Sequence, residues 1–465
     1  MLDRLPTDLL LIHIVGSLDT SSLIQLSLVS NKFYCLVNDE ALWKHRCIQD
    51  FNISQDNTYR YEGWKAFYQA LKCHTKVYTW GTNHDDRLGL PDYQNDLDLP
   101  TRPLFGRYGM RRRILHEVTE PHEVTALKKK SVIDIVAGGW SFHALDITGT
   151  VWTWGTLMGE GRSRDGRGYA QHRHYKLPTE LQANNHTQPK IKFRTISSGR
   201  SHVIGLAKDN NIYHWTNPNV LQPVELDTHS VVQVVANWSY SSLLTEQGKL
   251  YLVPEPDIVS LTEENKPVEP TQILASGVSL QHILPDADPD DQLVQLAGLD
   301  KFTLALTRHG LVLKLETGDV TAFSLSPQQH VTVLDHFSSQ EQELNDRGGI
   351  MKRFITGSFH NFAVYTKDRV MLGTIDAQKD TEPDCPEELV HQDICKVSFG
   401  DYHMGAITSK GKLLTWGQYS GGALGHGKDP SQQQLDRPTL VEDLNDKFVF
   451  AIGFGGWHSG VLAIE

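Results

Sequence analysis

Histidine recurs in this chain at a fixed distance from glycine, and histidine is a side chain that could bind metal or carry protons. The Gly-x-x-His copies that occupy corresponding places in a longer repeat end at His202, His360, His403 and His458. Two other copies of the repeat carry Ser141 and Tyr240 instead. A catalytic group is needed once, whereas a structural group is needed in every repeat. We therefore expect these histidines to form hydrogen bonds inside repeated units of the fold, and not to serve as metal ligands or bases.

Other groupings that could do chemistry are sparse. His172, Arg173 and His174 are adjacent, but no further ligand stands near them in the sequence, which favours a solvated loop over a metal site. The Gly-rich stretch 420–425 belongs to the repeat, and no Ser/His/Asp or Cys/His arrangement stands out. The sequence therefore predicts no catalytic residue, no metal and no cofactor.

Composition is typical of a soluble globular protein from a reducing compartment. The 465 residues are 39% hydrophobic and 22% charged, and they contain neither an apolar run that could span a membrane nor a segment typical of a signal peptide. The five cysteines are scattered and odd in number, which indicates free thiols. We expect no membrane partner, and a location in the cytoplasm, the nucleus or both.

Negative charge dominates the chain. The formal net charge is −12, and residues 254–394 contain ten basic residues against 24 acidic ones. Nucleic-acid binding depends on clustered Lys and Arg side chains that contact phosphates. The sequence therefore predicts no nucleic acid among the partners of this protein.

Two basic clusters, in 101–130 and 162–176, stand out against this acidic background. Both follow the last strand signal of adjacent repeats, so we expect them to be neighbours in the fold. They could bind an acidic segment or a negatively charged surface of a protein substrate. The residues predicted to bind substrate are Arg107, Arg111, Arg112, Arg113, Arg164, Arg167 and Arg173. Two alternatives stay open, namely a pair of solvated loops and a nuclear-localisation signal at 111–113.

The first fifty residues read as three or four short helices. Pro6 suits the first turn of a helix, and Leu9, Ile12 and Leu18 supply one apolar face. Side chains that cap helix N-termini follow at 19–22. So small a unit has little core and leaves apolar residues over, which indicates a protein partner.

This N-terminal segment resembles the F-box. The resemblance rests on Leu5-Pro6-x-Asp8-Leu9-Leu10, on Leu-Ile-Gln-Leu-Ser-Leu-Val-Ser at 23–30, and on Phe33, Leu36-Val37 and Leu42-Trp43, in order and spacing. F-box proteins dock through this unit on the Skp-type adaptor, which links them to the cullin and RING subunits of an SCF ubiquitin ligase. The resemblance implies adaptor contacts at Leu5, Pro6, Leu9, Leu10, Leu23, Leu26 and Val29. The alternative for each of these residues is a place in the core of the helical unit.

Seven repeated units fill the rest of the chain. Each contains a beginning such as 196–202 and an ending such as Gly-Thr-Val-Trp-Thr-Trp-Gly at 149–155. A third segment occurs in most copies, at Pro121–Val124, Pro178–Leu181, Pro223–Leu226, Pro270–Ile273, Pro386–Leu389 and Pro438–Val441. All three are candidates for short strands, punctuated by Gly and Pro. A repeat of this size indicates a propeller or a solenoid.

One unit is split between the two ends of this region. The final segment, 452–458, has a beginning without an ending, and the unmatched ending is Val77–Gly81. A solenoid needs distinct caps at its ends, whereas a split unit closes a ring. The fold class that we predict is therefore mainly β, a seven-bladed β-propeller preceded by a small all-α F-box domain. The expected domains are 1–50 for the F-box, 51–74 for a packed helical linker, and 75–465 for the propeller, whose last blade takes strands from 76–81 and 448–464.

The repeats are similar to those of the regulator of chromosome condensation family, whose fold is a seven-bladed propeller. Founding members of that family exchange guanine nucleotide on the Ran GTPase and bind chromatin. These roles are not carried over, because the repeats here are degenerate, the chain is acidic and no exchange-active segment can be matched. The resemblance implies the fold.

Together, the two resemblances imply a protein like the fungal SCF-associated F-box proteins that carry these repeats. Such a chain is the substrate-recognition subunit of a cullin–RING ubiquitin ligase. Its F-box docks on the adaptor, and its propeller binds the protein to be ubiquitinated for proteasomal degradation. A receptor of this kind acts by proximity and is not itself an enzyme. The alternatives are a guanine nucleotide exchange factor that acts through the propeller, and a scaffold without substrate turnover.

Overall fold

A helical unit followed by a ring of seven β-sheets makes up the computed structural model of this chain. The predicted fold class, a mainly β seven-bladed propeller behind a small helical unit, is confirmed. The structure describes residues 10–51, 53, 61–90, 117–159, 173–181, 190–228, 230–260, 263–264, 268–273, 275–338, 353–366, 368–418, 421–432 and 434–465. Within these ranges, no helix has both the length and the apolar character needed to cross a membrane.

The described part of the N-terminal unit contains five helical segments. They are a π-helical turn (Leu10–Val15), α1 (Thr20–Ser27), α2 (Asn31–Val37), α3 (Glu40–Phe51) and α4 (Trp64–Cys73). Capping side chains explain where α1 and α2 begin, since Asp19 accepts a hydrogen bond from the Ser22 N–H and Ser30 accepts one from the Phe33 N–H. The core of the unit contains Leu11, Val15, Leu23, Leu36, Val37, Leu42, Trp43, Cys47 and Phe51.

Each blade is built on antiparallel strands, which are described here from the innermost strand outward. The chain enters the ring on β1 (Thr75–Thr82) and β2 (Glu117–Glu123). Blade 1 contains β3 (Val132–Ala137), β4 (Ser141–Asp146), β5 (Val151–Gly155) and β6 (Tyr175–Glu180). Blade 2 contains β7 (Phe193–Ser198), β8 (Val203–Ala207), β9 (Ile212–Asn217) and β10 (Val220–Glu225).

The next three blades are less regular. Blade 3 contains β11 (Val231–Ala236), β12 (Ser241–Thr245) and β13 (Leu250–Val253); β14 (Thr271–Gln272) follows in the chain, and β15 (Ala275–Val278) is the outer strand of this blade. Helix α5 (Leu280–Ile283) leads to blade 4, with β16 (Leu293–Gly298), β17 (Thr303–Thr307), β18 (Val312–Leu315), helix α6 (Val320–Leu325) and β19 (Val331–Val333). Blade 5 contains β20 (Phe354–Ser358), β21 (Asn361–Tyr365) and β22 (Val370–Thr374).

The last two blades return to the regular pattern. Blade 6 contains β23 (Ile394–Phe399), β24 (His403–Thr408), β25 (Leu413–Gly417) and β26 (Leu435–Leu440). Blade 7 combines β27 (Phe448–Phe454) and β28 (His458–Ile464) with β1 and β2. In that sheet β1 lies between β28 and β2, and the register runs from Thr75 opposite Ile464 to Gly81 opposite His458. The first strand of the ring therefore pairs with the last.

The Pro-containing segments form outer strands in some blades and not in others. Thr271 and Gln272, in the segment expected to finish blade 3, instead pair in parallel with β10 of blade 2. In blade 5 the segment expected to form the outer strand is a 3₁₀ turn (Glu387–Leu389). Among the described residues, β22 pairs with the chain that follows it at a single bridge, between Leu372 and Asp384. Pro386 precedes that turn and has no N–H to contribute to a ladder.

The Trp-Gly endings supply the core of the blades. Trp80, Trp154 and Trp215 are completely buried. Gly81 and Gly155 follow two of them with φ values of 106° and 79°, in the left-handed region that glycine adopts without strain. Trp80-Gly81 and Trp154-Gly155 thus each combine a core side chain with a tight turn.

Strand direction divides the ring into two faces. The innermost strand of each blade runs toward one face, which we call the mouth face, and the second strand returns from it. The turns between first and second strands and the loops between third and fourth strands therefore all lie on the mouth face. Its opposite, the linker face, carries the start of β1 and the end of β28.

Helix α4 packs on the linker face against the closing blade. The ring of Phe67 lies 5.5 Å from that of Phe448, at the start of β27, and Tyr61 lies 5.2 Å from the same ring. On the other side of α4, Tyr68 contacts Trp43 at 5.1 Å and donates a hydrogen bond to Asp50 at 2.6 Å. The helix thus contacts both the N-terminal unit and the ring, which fixes the angle between them.

Candidate functional site

A ring of turns surrounds the end of the central channel on the mouth face. The channel has a volume of about 350 Å³ and is lined by the innermost strands of all seven blades. Its turns are joined from blade to blade by backbone hydrogen bonds, as between Arg200 N–H and Trp238 C=O (3.1 Å) or Asp300 N–H and Phe359 C=O (2.8 Å). These bonds hold the side chains between Gly and His of each repeat in fixed positions around the mouth.

Five of these side chains form one continuous stack. The guanidinium of Arg200 lies 4.3 Å from the ring of Trp140 and 4.7 Å from that of Trp238. The ring of Phe359 stacks on that of Trp238 at 3.9 Å, and the ring of His360 stacks on that of Phe359 at 3.5 Å. The stack joins blades 1, 2, 3 and 5, and cation–π attraction stabilises its centre.

An ion pair crosses the mouth. Arg200 of blade 2 donates to Asp401 of blade 6 at 2.7 Å. Burial raises the pKa of the Asp401 carboxyl, although the Arg200 guanidinium acts in the opposite direction. Nearby, Arg87 is buried and pairs with Asp85 at 3.0 Å. Both guanidinium groups at the mouth therefore already face carboxylates.

A smaller cavity of about 280 Å³ lies beside this pair, between blades 7, 1 and 6. Two aromatic side chains on its rim, Tyr402 and Trp457, are 48% and 46% exposed, and their rings lie 6.5 Å apart. Large aromatic side chains are seldom left this exposed unless a partner covers them. This cavity and the stack beside it form the candidate site on the propeller, which we call the mouth site.

The repeated histidines are structural in three of the four predicted cases. His202 shares a hydrogen bond with the Ser241 hydroxyl at 3.0 Å and His403 with that of Ser459 at 2.8 Å, and His458 also lies inside its blade. Burial lowers the pKa of His202 to about 4 and that of His403 to about 3, so both are neutral at physiological pH. In the part of the chain that the structure describes, no cluster of three or more ligating side chains could hold a metal ion.

The expectation is wrong for His360, which is exposed at the mouth. Ser358 pairs directly with Asn361, so only Phe359 and His360 form the turn, and Phe359 adopts a φ of 52°. In blade 6 the corresponding turn is longer, because Phe399 pairs with Met404. The tight turn in blade 5 leaves no room for the histidine to fold back into the sheet.

The predicted substrate-binding arginines fall mostly outside the described residues. Arg107, Arg111, Arg112, Arg113, Arg164 and Arg167 lie in 91–116 and 160–172. Arg173 is described, and its guanidinium donates twice to Glu264, at 2.6 and 2.5 Å. These hydrogen bonds lower the pKa of Glu264 to about 2. Arg173 thus ties blade 1 to the segment between β13 and β14, and a docking role for the seven arginines stays a prediction.

The predicted adaptor contacts divide into core and surface. Leu5, Pro6 and Leu9 lie outside the described residues. Leu10 and Leu23 are buried, Leu26 is half-buried, and Val29 is 68% exposed. Three further apolar side chains of α1, α2 and the turn between them, which the sequence pattern did not single out, are exposed as well: Ile24 (60%), Leu28 (82%) and Tyr34 (58%). We call Ile24, Leu28, Val29 and Tyr34 the helical apolar face.

Comparison with known proteins assigns both parts of the chain. The F-box-like family matches residues 2–49, and the regulator of chromosome condensation (RCC1) repeat family matches residues 410–462. The chain is an F-box protein with RCC1-type repeats. Its helical apolar face lies within the F-box-like match, and its mouth site lies in the propeller formed by the repeats.

Relatives of this F-box/propeller chain include two fungal proteins. SCF-associated factor 1 of Saccharomyces cerevisiae is 24% identical over 59% of this chain and 43% of its own length. F-box protein pof9 of Schizosaccharomyces pombe is 20% identical over 98% of this chain and 89% of its own. Among solved structures, yeast RCC1 (Prp20) bound to Kap60 superposes with a TM-score of 0.58 at 16% identity, covering 84% of this chain and 89% of that one. The chain thus spans less than half of SCF-associated factor 1, and the structural likeness shows the fold.

Proposed function

We propose that this protein is the substrate-recognition subunit of an SCF-type ubiquitin ligase. The observation that carries the proposal is the helical apolar face, which lies within the F-box-like residues and exposes Ile24, Leu28 and Val29 on one small unit. Exposed apolar area of this kind destabilises a free protein in water and is covered in a complex. The similarity to SCF-associated factor 1 and F-box protein pof9 supports membership of an SCF complex, in which we expect the partners to be a Skp-type adaptor and, through it, cullin and RING subunits.

In this proposal the propeller binds the protein to be ubiquitinated on its mouth face. Helix α4, which joins the F-box unit to the ring, packs on the linker face, so in this proposal the opposite face stays open when the adaptor is bound. The mouth face also carries the exposed aromatic side chains Tyr402 and Trp457. Ubiquitin transfer would then follow from proximity, which raises the effective concentration of the target near the charged enzyme. The chain itself would have no catalytic residue and would work in the cytoplasm, the nucleus or both.

The adaptor half of the proposal is tested by binding to a purified fungal Skp-type adaptor. Leu28→Asp places a charge on the helical apolar face, and we expect it to weaken adaptor binding at least about tenfold. Because Leu28 is 82% exposed, the substitution removes an adaptor contact without disturbing the core of the protein. Val232→Asp is the matched control, since Val232 is 50% exposed but lies on the innermost strand of blade 3. The proposal fails if the intact protein ignores the adaptor, or if Leu28→Asp and Val232→Asp bind equally well.

Two alternatives predict other results. A guanine nucleotide exchange factor would accelerate nucleotide release from a Ran-type GTPase at micromolar concentration, and only the fold likeness to yeast RCC1 supports that activity. A scaffold would bind the adaptor without substrate turnover, so the half-life of bound proteins would not change when the F-box is removed. If the chain is a substrate receptor, removal of the F-box lengthens that half-life.

A further inference from the structure

We propose that the mouth site binds an extended, uncharged peptide segment that presents a proline or another apolar anchor. This inference rests on the proposed function, because the segment would belong to the protein that is ubiquitinated. It names the class of substrate feature that the propeller reads and the residues that read it, which the family resemblance does not supply.

The charges of the mouth site are already neutralised within the protein. Arg200 pairs with Asp401 at 2.7 Å and Arg87 pairs with Asp85 at 3.0 Å. Arg200 is further held between two indole rings, and Arg87 is only 5% exposed. A phosphate, a carboxylate or a lysine entering this site would meet charged groups that already have a counter-ion, so it would gain little net attraction in return for its desolvation. The electrostatics therefore favour an uncharged ligand.

Among the side chains that line the cavity are exposed aromatic rings with hydrogen-bond donors. Tyr402 and Trp457 expose about half of their surface on the rim of the cavity. Within the described residues, neither the Tyr402 hydroxyl nor the Trp457 indole N–H makes a hydrogen bond. Aromatic surface with spare donors is the chemistry that recognises polyproline-type segments, whose rings pack on aromatic faces and whose carbonyl groups stay free to accept. The donors thus match the acceptors that such a peptide displays.

The size and rigidity of the site fit one anchoring residue on an extended chain. The cavity of about 280 Å³ lies between Trp140, Tyr402 and Trp457, with Arg87 and Arg200 at its base. Its walls belong to turns that are tied together by backbone hydrogen bonds, such as Asp401 N–H to Gly456 C=O at 3.2 Å. A preformed site and a proline-rich ligand both lose little conformational entropy on binding, so even a short segment can bind measurably.

Fluorescence anisotropy with the full-length protein tests the inference. The probe is a fluorescein-labelled peptide of repeated Pro-Pro-Leu, and peptides of equal length made of Glu-Ser or Lys-Ser repeats serve as comparison. We expect the Pro-Pro-Leu peptide to bind at least about tenfold more tightly than either charged peptide, and its affinity to change little between low and high salt, because no ion pair forms. Tighter binding of either charged peptide would overturn the inference.

Substitutions locate the binding to the mouth. Trp457→Ala and Tyr402→Ala should each weaken the Pro-Pro-Leu peptide about tenfold, whereas Val232→Ala, a similarly exposed residue on an innermost strand, should leave it unchanged. Wild-type affinity in Trp457→Ala and Tyr402→Ala would overturn the inference. Adaptor binding is measured on the same preparations and should not change. Loss of peptide binding at the mouth and loss of adaptor binding are therefore separate failures, of this inference and of the proposed function respectively.

Discussion

At the scale of single residues, repetition separated structural groups from functional ones. His202 and His403 are buried and hydrogen-bonded to serine hydroxyl groups of the next blade, as a group needed in every blade should be. The residues that differ from blade to blade lie between Gly and His. They include Arg200 and Trp457, and they meet at the mouth. The sequence signal for the mouth site is therefore the variation at positions between the repeated glycine and histidine, a signal that the predictions above leave out.

The buried histidines predict how stability depends on pH. Their folded-state pKa values lie below the ordinary value of 6.5, so the unfolded chain binds more protons in that interval. Stability is therefore complete above about pH 6.5 and falls as the pH decreases, by up to about 1.4 kcal/mol per pH unit for each such histidine. Urea unfolding of His403→Gln should show a slope between pH 7 and pH 5 shallower than wild type by that amount. Equal slopes in the wild-type and His403→Gln proteins would contradict the explanation.

At the scale of elements, α4 decides how the two parts of the protein are joined. Phe67 is buried against Phe448 of the closing blade, while Tyr68 on the same helix contacts Trp43 and Phe51 of the N-terminal unit. Thr75, the first residue of β1, donates from its hydroxyl to the Leu71 carbonyl at 2.6 Å, so the helix continues into the ring without a flexible connection. A short rigid element of this kind transmits orientation from the adaptor side to the substrate side.

Truncation of one α4 side chain should separate the two parts. Phe67→Ala removes a buried aromatic ring and is expected to cost about 3–5 kcal/mol at this contact. Limited proteolysis between α3 and α4 should then become faster, while the ring itself continues to unfold cooperatively. Tyr34→Ala, a change of the same size at a residue that is 58% exposed, should not alter the cleavage rate. A Phe67→Ala protein as resistant as wild type would mean that α4 does not hold the two parts together.

At the scale of the whole molecule, the ring is closed by strands from its two ends. β1 pairs with β28 over seven residues, from Thr75–Gly81 opposite Ile464–His458, and Tyr78 donates to Glu465 at 2.7 Å. Trp80 of β1 also donates to the Ala423 carbonyl of blade 6 at 2.7 Å. A contact of such large sequence separation forms only after the intervening blades are in place, so it completes the fold.

Removal of residues 448–465 should open the ring. The deletion takes away the two inner strands of blade 7, leaves β1 without its partner and exposes the core side chains that β27 and β28 cover. We expect the cooperative thermal transition of the propeller to be lost and the mouth site to lose its peptide, while adaptor binding persists. Deletion of Glu465 alone, which removes the contacts with Lys76 and Tyr78 but no strand, should shift the midpoint only slightly. A cooperative transition in the longer deletion would contradict closure by these strands.

The number of repeats, the mainly β fold and the F-box resemblance can be read from the sequence, because they follow from short-range patterns of glycine, tryptophan and apolar residues. Which residues meet depends on tertiary packing. Trp140, Arg200, Trp238 and Phe359 belong to turns of four blades, and their proximity depends on closure of the ring. The same holds in the F-box unit, where Leu23 and Leu28 are both apolar and only packing shows that one is core and the other surface. Periodicity predicts that an apolar residue will be covered, but the neighbours that cover it are set by the three-dimensional fold.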